Sequence, residues 1–140
     1  MRAAQRNDFP LLNEWIPAFA QEAGIYMHDA RESIEDGLER GSLHWWVKDG
    51  EIVSLAGHAP IVDVPGGSIA RIGPVYTPPR HRRRGYAGAL TAALSRRLID
   101  QGARVMLYTD AANPTSNGVY QRIGYVKIRD NERITFEKLQ

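Results

Sequence analysis

Asn113-Pro114-Thr115-Ser116-Asn117-Gly118-Val119-Tyr120-Gln121-Arg122-Ile123-Gly124-Tyr125, NPTSNGVYQRIGY, holds a helix start, a helix stop and a strand start in one short stretch. Asn113 suits an N-cap and Pro114 the first helical position, where a missing N–H costs nothing. Ser116 and Tyr120 are four residues apart and share a helix face, with Asn117 on the adjacent edge. Gly124 ends the helix and Tyr125 enters a strand. One reading of these residues makes Tyr120 a half-buried core aromatic and Asn113 a simple cap; another gives them a role at a site.

Upstream, residues 80–90 read RHRRRGYAGAL, four arginines and a histidine before a glycine. The run lies between a strand and a helix. The first amides of a helix have no internal partners and its dipole makes that end positive, so arginines there build an anion site. Gly85 lets the backbone come close to a ligand and Ala87 is nearly as small. Two other readings stay open at this point, a solvated turn and a nucleic-acid patch. The stretch is no P-loop, because G-x-x-x-x-G-K-[ST] is absent, and its glycines do not fit the dinucleotide fingerprint.

Outward from these two stretches the chain punctuates itself. Asp8 can cap a helix beginning at Phe9-Pro10, with Leu12, Trp15, Ile16 and Phe19 at helical spacing. Pro17 should kink or split it. Asp29 to Arg40 reads as a second helix stopped by Gly41. Leu43 to Lys48, the Asp49-Gly50 turn and Glu51 to Ala59 form a hairpin. Pro65-Gly66-Gly67 is a further turn, and Ser68 to Tyr76 a third strand. From Gly85, the residues Ala87, Leu90, Leu94 and Leu98 mark an amphipathic helix closed by Gly102. Val105 to Thr109 is a buried strand, and Tyr125 to Leu139 holds one or two more. Helices first, then a hairpin, then a strand–helix–strand crossover give an α/β domain with a mixed sheet.

Bulk composition narrows the classes. The chain has 140 residues, enough for one domain. Its net charge is only +2, so the basic excess is local rather than spread over a face as in a general nucleic-acid binder. No aromatic platform interleaves with the arginines. With no cysteine, disulfides, thiolate metal sites and a cysteinyl acyl-enzyme are excluded. No apolar run of about 18 residues is present to span a membrane. MRAAQRNDFP lacks the apolar core of a signal peptide, so a cytoplasmic location is expected.

Arg82, Gly85 and Ala87 match R-x-x-G-x-A. This resembles the coenzyme A pyrophosphate loop, Q/R-x-x-G-x-G/A, of the GNAT superfamily of N-acetyltransferases. The spacing N-x6-Y-x3-G-[FY] from Asn113 through Tyr120 to Gly124-Tyr125 is similar to the second coenzyme-binding motif of the same superfamily. The two motifs stand in the right order with a helix and a strand between them. The resemblance is close over residues 68–126 and looser before. Ala87 departs from the commoner glycine, Arg80 and Arg83 make the loop unusually basic, and only MRAAQ precedes the first helix, so the first strand reads as clipped.

The resemblance implies a single GNAT domain over residues 1–140, with a mostly antiparallel, splayed sheet flanked by helices. It implies an acetyl-CoA-dependent acyltransferase with no metal. The pyrophosphate would rest on the amides of Arg83, Arg84, Gly85, Tyr86, Ala87 and Gly88, with side-chain charge from Arg82 and Arg84. The pantetheine arm would pair with Val75, Tyr76 and Thr77, where the sheet splays from Val105–Thr109. Asn113, Ser116 and Asn117 would face the coenzyme and Tyr120 would sit by the sulfur. An amine would then attack the thioester directly, with Val75 or Tyr76 N–H at the oxyanion and Tyr120 protonating the leaving thiolate.

Base candidates are His44, His58, Glu32 and Asp110. The acceptor is a small-molecule or peptide amine, and acids at Glu22, Asp29, Glu32, Glu35 and Asp36 would suit a cationic one. A solvated helix face is the plainer reading of those acids. Trp45 and Trp46 alternate on their strand, so they face opposite sides. Small residues at Leu55-Ala56-Gly57 leave room for a longer acyl donor. Dimerisation is common in such domains. The rival readings are a non-catalytic coenzyme-binding module of the same fold and nucleic-acid binding through Arg80–Arg84. Neither nucleic acid nor membrane is the expected partner.

Overall fold

A computed structural model describes residues 1–110, 114–129 and 133–138. In chain order the elements are β1 (Arg2–Ala3), α1 (Phe9–Ala23), α2 (Ala30–Arg40), β2 (Leu43–Lys48), β3 (Glu51–His58) and β4 (Val62–Val64). They continue with β5 (Gly67–Tyr76), α3 (Tyr86–Asp100), β6 (Ala103–Asp110), α4 (Pro114–Arg122), β7 (Tyr125–Arg129) and β8 (Arg133–Lys138). The described strands make one sheet in the order β1-β2-β3-β5-β6-β8-β7, with β4 pairing β5 at the side. Only the β5–β6 pair is parallel, joined by the α3 crossover. The mixed sheet is the one expected from the element order, and its mostly antiparallel pairing with flanking helices is what the resemblance implies.

Two apolar clusters sandwich the sheet. Leu12, Trp15, Ile16 and Ile34 from α1 and α2 pack on Leu43, Trp45, Leu55 and Tyr76. Leu90, Leu94 and Leu98 from α3 pack on Ala56, Ile72, Val105 and Leu107 from the other side. Trp45 belongs to the first cluster and Trp46 packs against the second, so the strand's two-residue alternation separates them as expected.

Local chemistry explains most boundaries. The Asp29 carboxylate accepts from Arg31 N at 3.0 Å and caps α2, and Gly41 ends it at φ 67°. Asp8 stands at the N-cap of α1, but its carboxylate does not cap that helix. It accepts instead from Gln5 N at 2.8 Å and Trp45 Nε1 at 3.0 Å, tying the chain before α1 to β2. Pro17 does not split α1, which runs unbroken through it. Trp15, Ile16 and Ala20 are buried around the proline and hold the helix to the sheet, while Asn13, whose carbonyl loses the bond Pro17 cannot make, is exposed to water. The short strand β4 is not among the expected elements: Pro60 punctuates its N-terminal side, but three residues are too few to show a strand's alternation.

The feature that matters for function is where the sheet opens. β5 and β6 pair from Ser68↔Ala103 to Ile72↔Leu107 and no further. Residues Gly73–Tyr76 stay on β3, through Ala56↔Val75 and Leu55↔Tyr76, after an irregularity between Ala56 and His58. Pro74 lies in that irregularity and has no N–H to give a ladder, so a proline in β5 marks the place where the strand leaves β6.

Candidate functional site

Beyond the opening, the chain turns through Pro79–His81 into α3. Arg83 takes φ 65° and Gly85 φ 80°, two left-handed residues that curl the backbone just before the helix. Ala89 N is the first α3 amide to bond back, to Gly85 O at 3.0 Å, and Gly85 gives no side-chain cap. The amides of Tyr86, Ala87 and Gly88 therefore precede the first helical bond. A Cβ added to Gly85 would meet nothing within 4 Å, so the space over the loop is open to a ligand.

The basic run divides. His81 is buried, with Nε2 3.1 Å from Glu51 Oε2 and its ring edge-on to Tyr86. Arg82 donates through Nε to Thr77 O at 2.7 Å and through Nη2 to Glu22 Oε1 at 2.7 Å. Among the described residues Arg80, Arg83 and Arg84 have no acid within ion-pair distance and all three are exposed. The loop thus combines unbonded amides, a positive helix end and three uncompensated guanidiniums. A pyrophosphate fits that set of donors.

The second motif comes alongside. Gly88 of α3 faces Val119 of α4, and a Cβ on Gly88 would stand 3.1 Å from Val119 Cγ1. Tyr120, the next residue, packs on the α3-side cluster, as does Val75 from the end of β5 that β6 does not pair. Its ring meets that of Tyr125 at 6.2 Å and 64°, and Tyr125 Oη is 2.5 Å from Ser95 Oγ. Burial pushes the Tyr120 phenol up to about 12, so it is fully protonated at neutral pH. Among the described residues Asn117 Oδ1, on α4, is buried without a hydrogen-bond partner. Asn113 lies outside the described residues, and of Ser116 only its place in α4 is described. Val75 and Tyr76 lie on the part of β5 that β6 does not pair, and Thr77 follows directly; Ser54 Oγ holds the Tyr76 carbonyl at 3.2 Å and Thr77 Oγ1 at 2.8 Å.

The base candidates separate. His44 is buried on β2, with Nε2 3.3 Å from Arg97 Nη1 of α3. Burial first, then the charges of Arg97 and His58, lower its pKa to about 4. His58 pairs with Ile72, the last β5 residue held by β6, and its Nδ1 is 2.8 Å from Ala59 O, leaving Nε2 for other partners. Glu32 lies in an open groove of about 500 Å³ with Asp29, Glu35, Asp36 and Glu39 on α2. Asp110 ends β6, and its side chain is outside the described set. Glu22 is not in the acidic groove, being held by Arg82. Among the described residues no cluster of metal-ligating side chains occurs and no helix is long and apolar enough to cross a membrane.

Comparison with known proteins agrees with this geometry. No curated protein sequence matches the chain. Among solved structures, the ribosomal-protein-alanine N-acetyltransferase of Brucella melitensis superposes with a TM-score of 0.79 at 17% identity, covering 99% of this chain and 98% of that one. NAA60 of Arabidopsis thaliana in complex with acetyl-CoA gives 0.74 at 17% identity, covering 97% and 95%. A spermidine N-acetyltransferase chimera from Vibrio cholerae and hSSAT gives 0.70 at 18%, covering 99% and 95%. At such identities the likeness is one of fold. The family described as FR47-like protein matches residues 54–134, a span that takes in both motifs, the opening between β5 and β6 and more than half of the sequence. The chain therefore belongs to the FR47-like family, and its fold is that of the GNAT acetyltransferases.

Proposed function

We propose that residues 1–140 act as one N-acetyltransferase domain that moves an acetyl group from acetyl-CoA to an amine in a ternary complex. The observation that carries this reading is the end of β5–β6 pairing at Ile72 and Leu107, followed along the chain by a loop into α3 whose first amides make no backbone bond. Arg83, Arg84, Gly85, Tyr86, Ala87 and Gly88 would cradle the pyrophosphate, and the exposed charges of Arg80, Arg83 and Arg84 would draw it in. The edge of Val75 and Tyr76 that β6 leaves unpaired would receive the pantetheine arm as an added strand, continued by Thr77. Ser116 and Asn117 would line the same side, as would Asn113.

In the transfer the amine nitrogen bonds to the thioester carbonyl carbon and the carbon–sulfur bond breaks. An N–H of Val75 or Tyr76 stabilises the oxyanion between those events. Tyr120 gives its proton to the leaving thiolate, and a phenol held protonated by burial is suited to that role. The amine's proton leaves through His58 or water, because His58 stands in register with the residue at which the sheet opens. The acceptor is read as a small-molecule or peptide amine, and the location as cytoplasmic. Two of the similar structures are a spermidine N-acetyltransferase and a ribosomal-protein-alanine N-acetyltransferase, so both kinds of amine are sensible first acceptors.

The test is a thermal melt with acetyl-CoA. A ligand at about 100 times its Kd adds roughly 2.7 kcal/mol of stability. The native chain should shift upward and Arg84→Glu should not. A native chain that does not respond to saturating acetyl-CoA would overturn the reading.

A further inference from the structure

The sequence offers Arg82 as the leading residue of the coenzyme loop, yet its side chain is already engaged by Thr77, Glu22 and Tyr76. Its Nε donates to Thr77 O at 2.7 Å, which closes the loop between β5 and α3 on itself. Its Nη2 reaches Glu22 of α1, at 2.7 Å from Oε1 and 2.9 Å from Oε2. Its guanidinium carbon lies 5.8 Å from the centre of the Tyr76 ring. Tyr76 in turn stacks edge-on against Trp15 of α1, with the ring centres 5.8 Å apart. One side chain thus ties the end of β5, the last turn of α1 and the start of the loop together. The next residue, Arg83, holds a left-handed φ of 65°, a conformation that persists only where the surroundings enforce it.

We propose that Arg82 and Glu22 form a positioning pair that holds the coenzyme loop in the shape its amides require, and that Arg82 is not itself a pyrophosphate ligand. The proposal rests on the coenzyme reading above. A guanidinium compensated by a carboxylate at this distance adds little field for an incoming anion, whereas Arg80, Arg83 and Arg84 are uncompensated among the described residues. No motif contains Glu22; it is sixty positions from its partner and enters the site only through the fold.

The two roles of Arg82 give opposite signs for Glu22→Gln. Were Arg82 a ligand held in reserve, loss of the carboxylate would release it and the coenzyme would bind more tightly. As a positioning pair, loss of either member loosens the loop and binding weakens. Calorimetric titration of the full chain with coenzyme A and with adenosine diphosphate reads this directly. Both side chains are partly exposed, so Glu22→Gln and Arg82→Gln should each weaken both probes about two- to fivefold. The double variant should bind no more weakly than the worse single one, because the two residues act as one unit. Raising the ionic strength should flatten the difference between native and Arg84→Gln more than that between native and Arg82→Gln, whose pair is held at hydrogen-bond distance. Melting curves check that each variant is folded, and Glu22→Asp, which keeps the charge and shortens the reach, serves if Glu22→Gln is not. Tighter binding by Glu22→Gln, or additive losses in the double variant, overturns the pair. A native chain that binds neither probe overturns the coenzyme reading instead.

Discussion

Gly88 and Val119 bring the two motifs into contact: a Cβ on Gly88 would lie 3.1 Å from Val119 Cγ1, so α3 and α4 meet with only a hydrogen atom between them. That contact sets Tyr120, on α4, beside the start of the helix whose amides form the loop. Gly88→Val should force the helices apart and destabilise the fold by about 1–3 kcal/mol, the usual cost of overpacking. It should also lower acetyl-CoA affinity, and Val119→Ala in the same chain should restore part of both. Denaturant melts and a coenzyme titration on the three variants check this. Full stability in Gly88→Val would mean that the helices do not rely on this close approach.

Tyr120 is the proposed acid, and its behaviour separates chemistry from binding. Tyr120→Phe keeps the ring, its packing on the α3-side cluster and its edge-on contact with Tyr125. It removes one proton donor. Transfer to an amine should fall about a hundredfold or more, the range for loss of a general acid, while the Kd for acetyl-CoA stays unchanged. The phenol ionises near 12 because burial disfavours its anion, so the native rate should show no fall from Tyr120 ionisation below about pH 10. A Phe variant with native rates would leave the leaving thiolate to water.

The parts of this site that could be read in advance are those written in local chemistry. Gly85, the helix start after it, the Gly41 stop of α2 and the spacing from Tyr120 to Gly124 are short-range signals, and each is found where the sequence puts it, while Asp29, read as the first residue of α2, is its N-cap. Pro74 was equally visible, yet its effect depends on which strand lies opposite, and only the register of β5 with β3 and β6 turns it into an opening. The split of the arginine run was not legible. His81 finds Glu51 and Arg82 finds Glu22 across the fold, and neither acid carries any local mark. Pro17 misled for a related reason: a helix breaker acts on an isolated helix, but burial of Trp15, Ile16 and Ala20 outweighs one lost bond at an exposed turn.

His44 gives a prediction about pH. Its ring is buried between β2 and α3, with Nε2 3.3 Å from Arg97 Nη1, and Nδ1 has no partner among the described residues. Burial, and after it the positive charges of Arg97 and His58, lower its pKa from 6.5 to about 4. The folded chain therefore holds this ring neutral where the unfolded chain already binds a proton. Stability from this group is complete above pH 6.5 and is lost as pH falls towards 4, at up to about 1.4 kcal/mol per pH unit for one proton. Urea melts of native and His44→Gln at intervals from pH 7 to pH 5 should show the native curve falling more steeply, with the difference largest at the acid end. Parallel curves would mean that the ring takes up its proton inside the fold as easily as in water, and that Arg97 and burial do not hold it neutral.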